Sequence, residues 1–231
     1  MAGYGTYCPI AKAAEILAER WTLLIVRDLL LGARRFNDFR RSIPLITPAV
    51  LSKRLTTLEE AGVITRDAPD GDSRREYCLT EAGRELGPFV EAAGAWGQRW
   101  ARSKLPDGEL HPGTLMWDIH RFLKTGHLPA RRTVIKVEFI DRRAMRHWWL
   151  VARAGEVDVC LDDPGHEVDM WIACTLLTLA RVFMGDLSIA GARATGGLVL
   201  EGNAPLIKDM PRWFGLMPFS NVPAGVATKG G

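Results

Sequence analysis

Thr47-Pro48-Ala49-Val50-Leu51-Ser52-Lys53-Arg54-Leu55-Thr56-Thr57-Leu58-Glu59-Glu60-Ala61-Gly62 is the stretch whose reading decides the fold. A hydroxyl residue followed by proline marks a helix start. The side chain can accept from an orphan N–H, and proline lacks the N–H that a first turn cannot satisfy. Gly62 supplies the stop, because glycine readily enters the left-handed conformation that closes many helices. Between these ends Leu51, Leu55 and Leu58 recur at helical spacing and make one buried stripe. The stripe leaves Ala49, Ser52, Lys53 and Thr56 on an outward face of small, hydroxyl and cationic groups, a face that fits the major groove of DNA. An ordinary amphipathic surface helix would show the same stripe, so the flanks have to decide between the two.

Upstream, Trp21 to Leu31 is a strongly apolar run ended by Gly32, and Phe36 to Ile43 is a short amphipathic helix before Pro44. Downstream, Val63 to Ala68 and Arg74 to Thr80 bracket the turn formers Pro69-Asp70-Gly71-Asp72-Ser73, which predicts strand, turn, strand. Helix, short helix, recognition helix and β-wing in this order predict a winged helix-turn-helix. The expected DNA-contacting residues are Thr47, Pro48, Ala49, Ser52, Lys53 and Thr56 on the helix, with Arg74 and Arg75 on the wing.

Seven segments in chain order carry a family resemblance: Cys8-Pro9-Ile10, Arg20 to Ile25, Arg27-Asp28-Leu29, Arg35 to Phe39, Leu51 to Leu55, Leu58 to Ile64, and Glu76 to Gly83. Over roughly the first hundred residues the chain resembles the HxlR-type regulators, within the MarR-like superfamily. The resemblance implies a homodimeric, cytoplasmic transcription factor that binds double-stranded DNA. It also implies that thiol chemistry at Cys8, which stands in the Cys-Pro context, could sense oxidants; the alternative is a packing cysteine at a helix start. The chain departs from the family at Leu45, where glycine is usual, and at Pro48-Ala49, where polar or basic residues are common.

Charge separates the two halves of the 231 residues. Residues 1–104 hold 16 Lys/Arg against 13 Asp/Glu, whereas residues 105–231 hold 14 of each, so the whole formal excess lies in the proposed DNA-binding half. Its clustering at Arg34-Arg35, Arg40-Arg41, Lys53-Arg54 and Arg74-Arg75 favours a nucleic-acid partner. The opening Met1 to Tyr7 has neither a basic region nor an apolar run, and no apolar stretch is long enough to span a membrane, which leads us to expect a cytoplasmic protein. The four cysteines are widely spaced, so reduced thiols are expected.

From Thr80 a long helix is expected to reach Trp100 with a bend near Gly87-Pro88, and its apolar face, with Trp96 and Trp100, suggests dimerisation. The alternative is that these tryptophans pack under the following domain. Residues 105–113 read as a linker, 114–222 as an α+β domain and 223–231 as a frayed tail. Strands are expected at Thr133 to Ile140, His147 to Ala154 and Glu156 to Leu161, then a helix from Val168 to Gly185, a strand at Leu198 to Gly202 and a helix from Ala204 to Trp213.

In layout this half is similar to the sterol-carrier-protein-like α+β fold, which implies an apolar cavity lined by Trp148, Trp171 and Phe183 and an apolar small-molecule effector. Aromatic residues in a small α+β domain also serve simply as its core. Asp162, Asp163, Glu167 and Asp169 sit where carboxylates have an ordinary structural use at a helix start, so no metal site is expected. No cofactor and no catalytic site are expected either, because nucleophile elbows, phosphate loops and paired zinc-binding histidines are all missing from the sequence. Two readings remain. One is a dimeric, sequence-specific DNA-binding regulator modulated by an apolar molecule or by thiol oxidation. The other is a lipid or small-molecule carrier that uses its winged helix for assembly.

Overall fold

The computed structural model describes residues 3–67, 76–101, 110–223 and 225. The chain divides into two compact units, residues 1–96 and 97–231.

The first unit is a winged helix. Its helices are α1 (Pro9–Leu17), α2 (Thr22–Leu30), α3 (Phe36–Ser42) and α4 (Pro48–Glu60), followed by the strands β1 (Ile64–Asp67) and β2 (Glu76–Leu79). Its core is largely aliphatic: Ile25, Val26 and Leu29 of α2 and Leu51, Leu55 and Leu58 of α4 close around Phe39, all under 3% exposed. Each boundary has a local cause. Thr47 Oγ1 accepts from Val50 N at 3.3 Å and Pro48 holds the first position of α4, while Gly62 closes it at φ 70°. The Asp38 carboxylate accepts from the Arg34 and Arg35 amides at 3.0 and 2.8 Å and so caps α3. Asp28, with no exposed surface, ties α2 to α3 by accepting from Ser42 Oγ and pairing with Arg27 at 2.9 Å.

The wing strands pair antiparallel from Ile64↔Leu79 to Asp67↔Glu76. Their base is locked to the end of α4: Thr80 Oγ1 donates to Gly62 O at 2.7 Å and accepts from Gly83 N at 3.1 Å. A side chain at Gly83 would meet Val63 O at 2.1 Å, so only glycine lets the backbone approach this closely. The expected long helix from Thr80 is broken. It appears as α5 (Glu81–Arg84) and α6 (Gly87–Trp96), parted at Glu85-Leu86 just before Pro88. The tip of the wing, with Arg74 and Arg75, lies outside the described residues.

The second unit begins at Gly97, earlier than the expected boundary at 104, because the π-helical turn Gly97–Ala101 belongs to it: Arg99 O accepts from Gly225 N at 2.8 Å. Most of the expected linker and tail, residues 105–109, 224 and 226–231, lies outside the described residues, as do residues 102–104. Helix α7 (Pro112–Phe122) precedes a five-stranded mixed sheet of β3 (Thr133–Phe139), β4 (His147–Arg153), β5 (Glu156–Cys160), β6 (Met170–Cys174) and β7 (Leu198–Gly202), in spatial order β5-β4-β3-β6-β7. Central strands β3 and β6 are parallel, and every other pair is antiparallel. Ala154 and Gly155 both take positive φ, 53° and 89°, which gives the β4–β5 hairpin its tight turn.

Among the described residues the unit also holds α8 (Leu176–Phe183), α9 (Ile189–Ala194), α10 (Ala204–Lys208) and α11 (Met210–Trp213), and each joins α7 in a core against one face of the sheet. Two expectations change here. The segment from Val168 to Gly185 is a strand followed by a helix: Thr175 Oγ1 accepts from Thr178 N at 3.1 Å and starts α8 only after β6 has ended. The final helix is interrupted at Asp209, before Pro211.

Candidate nucleic-acid interface

All six positions expected to read DNA from α4, Thr47, Pro48, Ala49, Ser52, Lys53 and Thr56, are solvent-exposed, while Leu51, Leu55 and Leu58 are buried beneath them. One helical face therefore holds the fold and the opposite one is available to a partner. That face is chemically divided along its length. Its first turn carries Pro48 and Ala49, with Thr47 Oγ1 engaged by Val50 N, whereas Ser52, Lys53 and Thr56 present polar atoms one to two turns later.

The basic doublets of the sequence split once the contacts are known. Arg54 turns away from the open face: its guanidinium pairs with Glu19 at 2.6 Å and donates to Arg20 O at 3.2 Å. Arg34 donates to Leu29 O and Ala33 O at 3.1 and 3.0 Å, and Arg35 pairs with Glu76 of β2 at 3.0 Å. These arginines hold the motif together. Lys53 is exposed on α4, Arg40 and Arg41 are exposed at the end of α3, and Arg66 is exposed on β1 with its guanidinium 5.4 Å from the Tyr77 ring. Sequence reasoning misses Arg66. Strand alternation puts it on the same face as buried Ile64 and Tyr77, so the sequence pattern gives no sign of its exposure.

Cys8 occupies the N-cap position of α1 with a half-buried thiol, and Pro9 follows it as the first helical residue. Its side chain caps nothing, and its own amide donates to Thr6 Oγ1 at 3.2 Å. None of Cys8, Cys78, Cys160 and Cys174 is in a disulfide. Burial pushes the Cys174 thiol up to about 12, which keeps it protonated and unreactive.

The three residues expected to line an apolar pocket do not converge. Trp148 and Phe183, each 5% exposed, belong to the core between sheet and helices, where Trp148 Nε1 donates to Met145 O at 2.8 Å. Trp171 is 41% exposed, and its register partners are Lys136 on β3 and Glu201 on β7, on the opposite face from Val137, Ile172 and Leu200. The strand at Met170–Cys174 explains the correction. With side chains alternating faces, a residue next to buried Met170 and Ile172 must point outward. Asp169 serves a structural purpose as well: it pairs with Arg131 at 2.6 Å and accepts from Val134 N at 2.8 Å.

Among the described residues no helix is long and apolar enough to cross a membrane, and no cluster of three or more His, Cys, Asp or Glu could hold a metal ion.

A family model for the HxlR-like helix-turn-helix matches residues 16–105. The HTH-type transcriptional regulator YvaP of Bacillus subtilis (strain 168) is 41% identical over 95 residues, which are 40% of this chain and 88% of that protein. An HTH-type transcriptional regulator of Methanothermobacter thermautotrophicus is 34% identical over 106 residues, 46% of this chain and 81% of that protein. Among solved structures, the redox regulator HypR in its reduced form is 33% identical, with 39% of this chain and 90% of that chain covered at a TM-score of 0.37. YvaP is matched over almost its whole length by a segment that folds as a winged helix with an open recognition face, and the chain therefore belongs to the HxlR-like helix-turn-helix family.

Proposed function

We propose that this transcriptional regulator binds operator DNA as a two-fold homodimer, with α4 in the major groove and the wing on the adjacent backbone. The observation that carries the reading is the segregation of α4, whose leucines are all buried while Thr47, Pro48, Ala49, Ser52, Lys53 and Thr56 are all exposed. Lys53 and Thr56 then meet base edges or phosphates, and Arg74 and Arg75 grip the minor groove or its phosphates. Dimerisation uses the last helix of the first unit: α6 exposes Phe89 at 50% and Trp96 at 63%, large apolar surfaces that a second copy would cover. Two-fold symmetry would set two α4 helices about 34 Å apart, one turn of DNA.

The mixed α/β second unit acts as a sensing module of the sterol-carrier-like kind, and the layer holding Trp148 and Phe183 is where an apolar molecule would lodge. Regulation needs differential affinity: a ligand held equally by DNA-competent and DNA-incompetent states shifts nothing. Cys8 offers a second input. A half-buried thiol at a helix N-terminus fits oxidation by peroxide or addition to a quinone.

The deciding experiment is a binding titration of the full chain against duplexes from its own upstream region, across salt concentrations. Saturable, salt-sensitive binding to one duplex, with two chains per site, is expected. Equal affinity for all duplexes would remove sequence-specific regulation and leave a carrier with an assembly module. Repeating the titration with hydrophobic metabolites, and with Cys8→Ser under mild peroxide, tests the two inputs separately.

A further inference from the structure

The leading end of the recognition face contains almost no polar chemistry. Leu45 stands two residues before the cap of α4 and is 74% exposed. Its orientation is imposed by its neighbours. Ile43 and Ile46, each 4% exposed, are anchored in the core on either side, and Ile46 N donates to Ile43 O at 3.0 Å to close the turn that holds Pro44 and Leu45 at its apex. Leu45 therefore cannot fold back without withdrawing one of two buried isoleucines. Pro48 and Ala49, exposed in the first turn, continue the same apolar chemistry.

We propose that Leu45, Pro48 and Ala49 form a methyl-reading edge that selects thymine in the operator half-site. The inference rests on α4 being the recognition helix, and it names what that helix prefers. In helix-turn-helix proteins the N-terminal residues of this helix are the ones that reach base edges. Of the groups displayed in the major groove, the C5-methyl of thymine is the apolar one. The other features are hydrogen-bond donors and acceptors that Leu, Pro and Ala side chains cannot satisfy. A cytosine at the facing position would instead leave its N4 amino donor desolvated against hydrocarbon. The polar residues Ser52, Lys53 and Thr56, further along the helix, serve phosphates and other bases.

The test uses duplexes selected by the full chain from a random pool, in which each thymine is replaced singly by deoxyuridine, which lacks only the methyl. At one or two positions in each half-site the uracil duplex is expected to bind about threefold to fivefold more weakly, the effect of one methyl removed from water. Leu45→Ala or Ala49→Ser should abolish the thymine–uracil difference at one of those positions while leaving the melting temperature and the oligomeric state unchanged. Equal binding of every uracil duplex by the wild-type chain overturns the methyl edge and leaves α4 as the recognition helix. The methyl edge also falls if both variants keep the full discrimination, or if Leu45→Ala changes the oligomeric state and leaves base preference untouched. Failure to select any specific duplex removes the underlying reading of α4 and the methyl edge with it.

Discussion

The two units invest their side chains in opposite directions. In the first, the core is aliphatic apart from Phe39 and Tyr77, and the distinctive chemistry stands outside on α4 and the wing strands. In the second, the distinctive chemistry is inside: Trp148, Trp213, Phe139, Phe183 and Phe214 share one core with Met116, Met170, Met184 and Met210. A rigid aliphatic core suits a protein that must hold a reading face still against DNA. A core of large rings and unbranched thioethers can repack around a guest, because methionine adapts its shape at little cost. The contrast leaves the first unit's distinctive groups available to a partner's surface and commits those of the second unit to its own core.

The sharpest way to break this comparison is to empty the second core. Trp213 has no exposed surface, and its Nε1 donates to Leu206 O at 2.9 Å, so Trp213→Ala should cost about 3–5 kcal/mol, read as a shifted denaturation midpoint of the second unit. Trp171→Ala, on the other side of the sheet, should cost under about 1 kcal/mol. Comparable losses would show that both faces of the sheet are equally structural. In the first unit, Asp28→Ala strands Arg27 and Ser42 and should cost about 3 kcal/mol by urea unfolding.

A smaller pair of variants separates holding from reading on α4. Arg54→Ala removes the tie to Glu19 and should lower stability by at most about 1 kcal/mol. Lys53→Ala should leave stability unchanged and reduce the salt dependence of DNA binding by about one counterion. If the two variants exchange these effects, the outward face of α4 is misassigned.

The smallest expected effect is a pH dependence confined to the second unit. His111 Nδ1 accepts from Gly113 N at 3.2 Å and caps α7, and burial lowers its pKa from the ordinary 6.5. The neutral ring is the folded form, so its contribution is complete above pH 6.5 and fades as acid drives the pH down through the lowered value. Between pH 7.5 and pH 5 the second unit should lose about 0.5–1 kcal/mol, the worth of one cap, and His111→Asn should flatten that slope.

The first unit is largely legible in the sequence because its elements announce their own ends. Thr47, Pro48 and Gly62 bound α4 whatever lies elsewhere, and Pro44 and Gly32 do the same for its neighbours. The segment from Val168 to Gly185 ends at Gly185, but the Thr175 hydroxyl that starts its helix has no proline after it, and its apolar residues fit a helix as well as a strand followed by a helix. What decides is pairing of Met170–Cys174 with β3, whose residues lie more than thirty positions earlier, and no local pattern reports that. The same ambiguity misplaces Trp171. Arg54 is counted in a basic cluster that favours nucleic acid for a related reason: a guanidinium looks alike in sequence whether it meets phosphate or the carboxylate of Glu19.

The parallel pairing of β3 with β6 also sets an order of events during synthesis. As the chain emerges, β3, β4 and β5 can form their meander at once through short connections, but the other edge of β3 stays open until Met170–Cys174 has left the ribosome. Ile135, Val137 and Phe139, all buried in the finished sheet, are exposed on that unfinished edge for as long as the delay lasts. A newly made chain is therefore most prone to clump with its neighbours in this interval, after its DNA-binding unit has already folded, and slowing translation between codons 140 and 170 should lower its soluble yield.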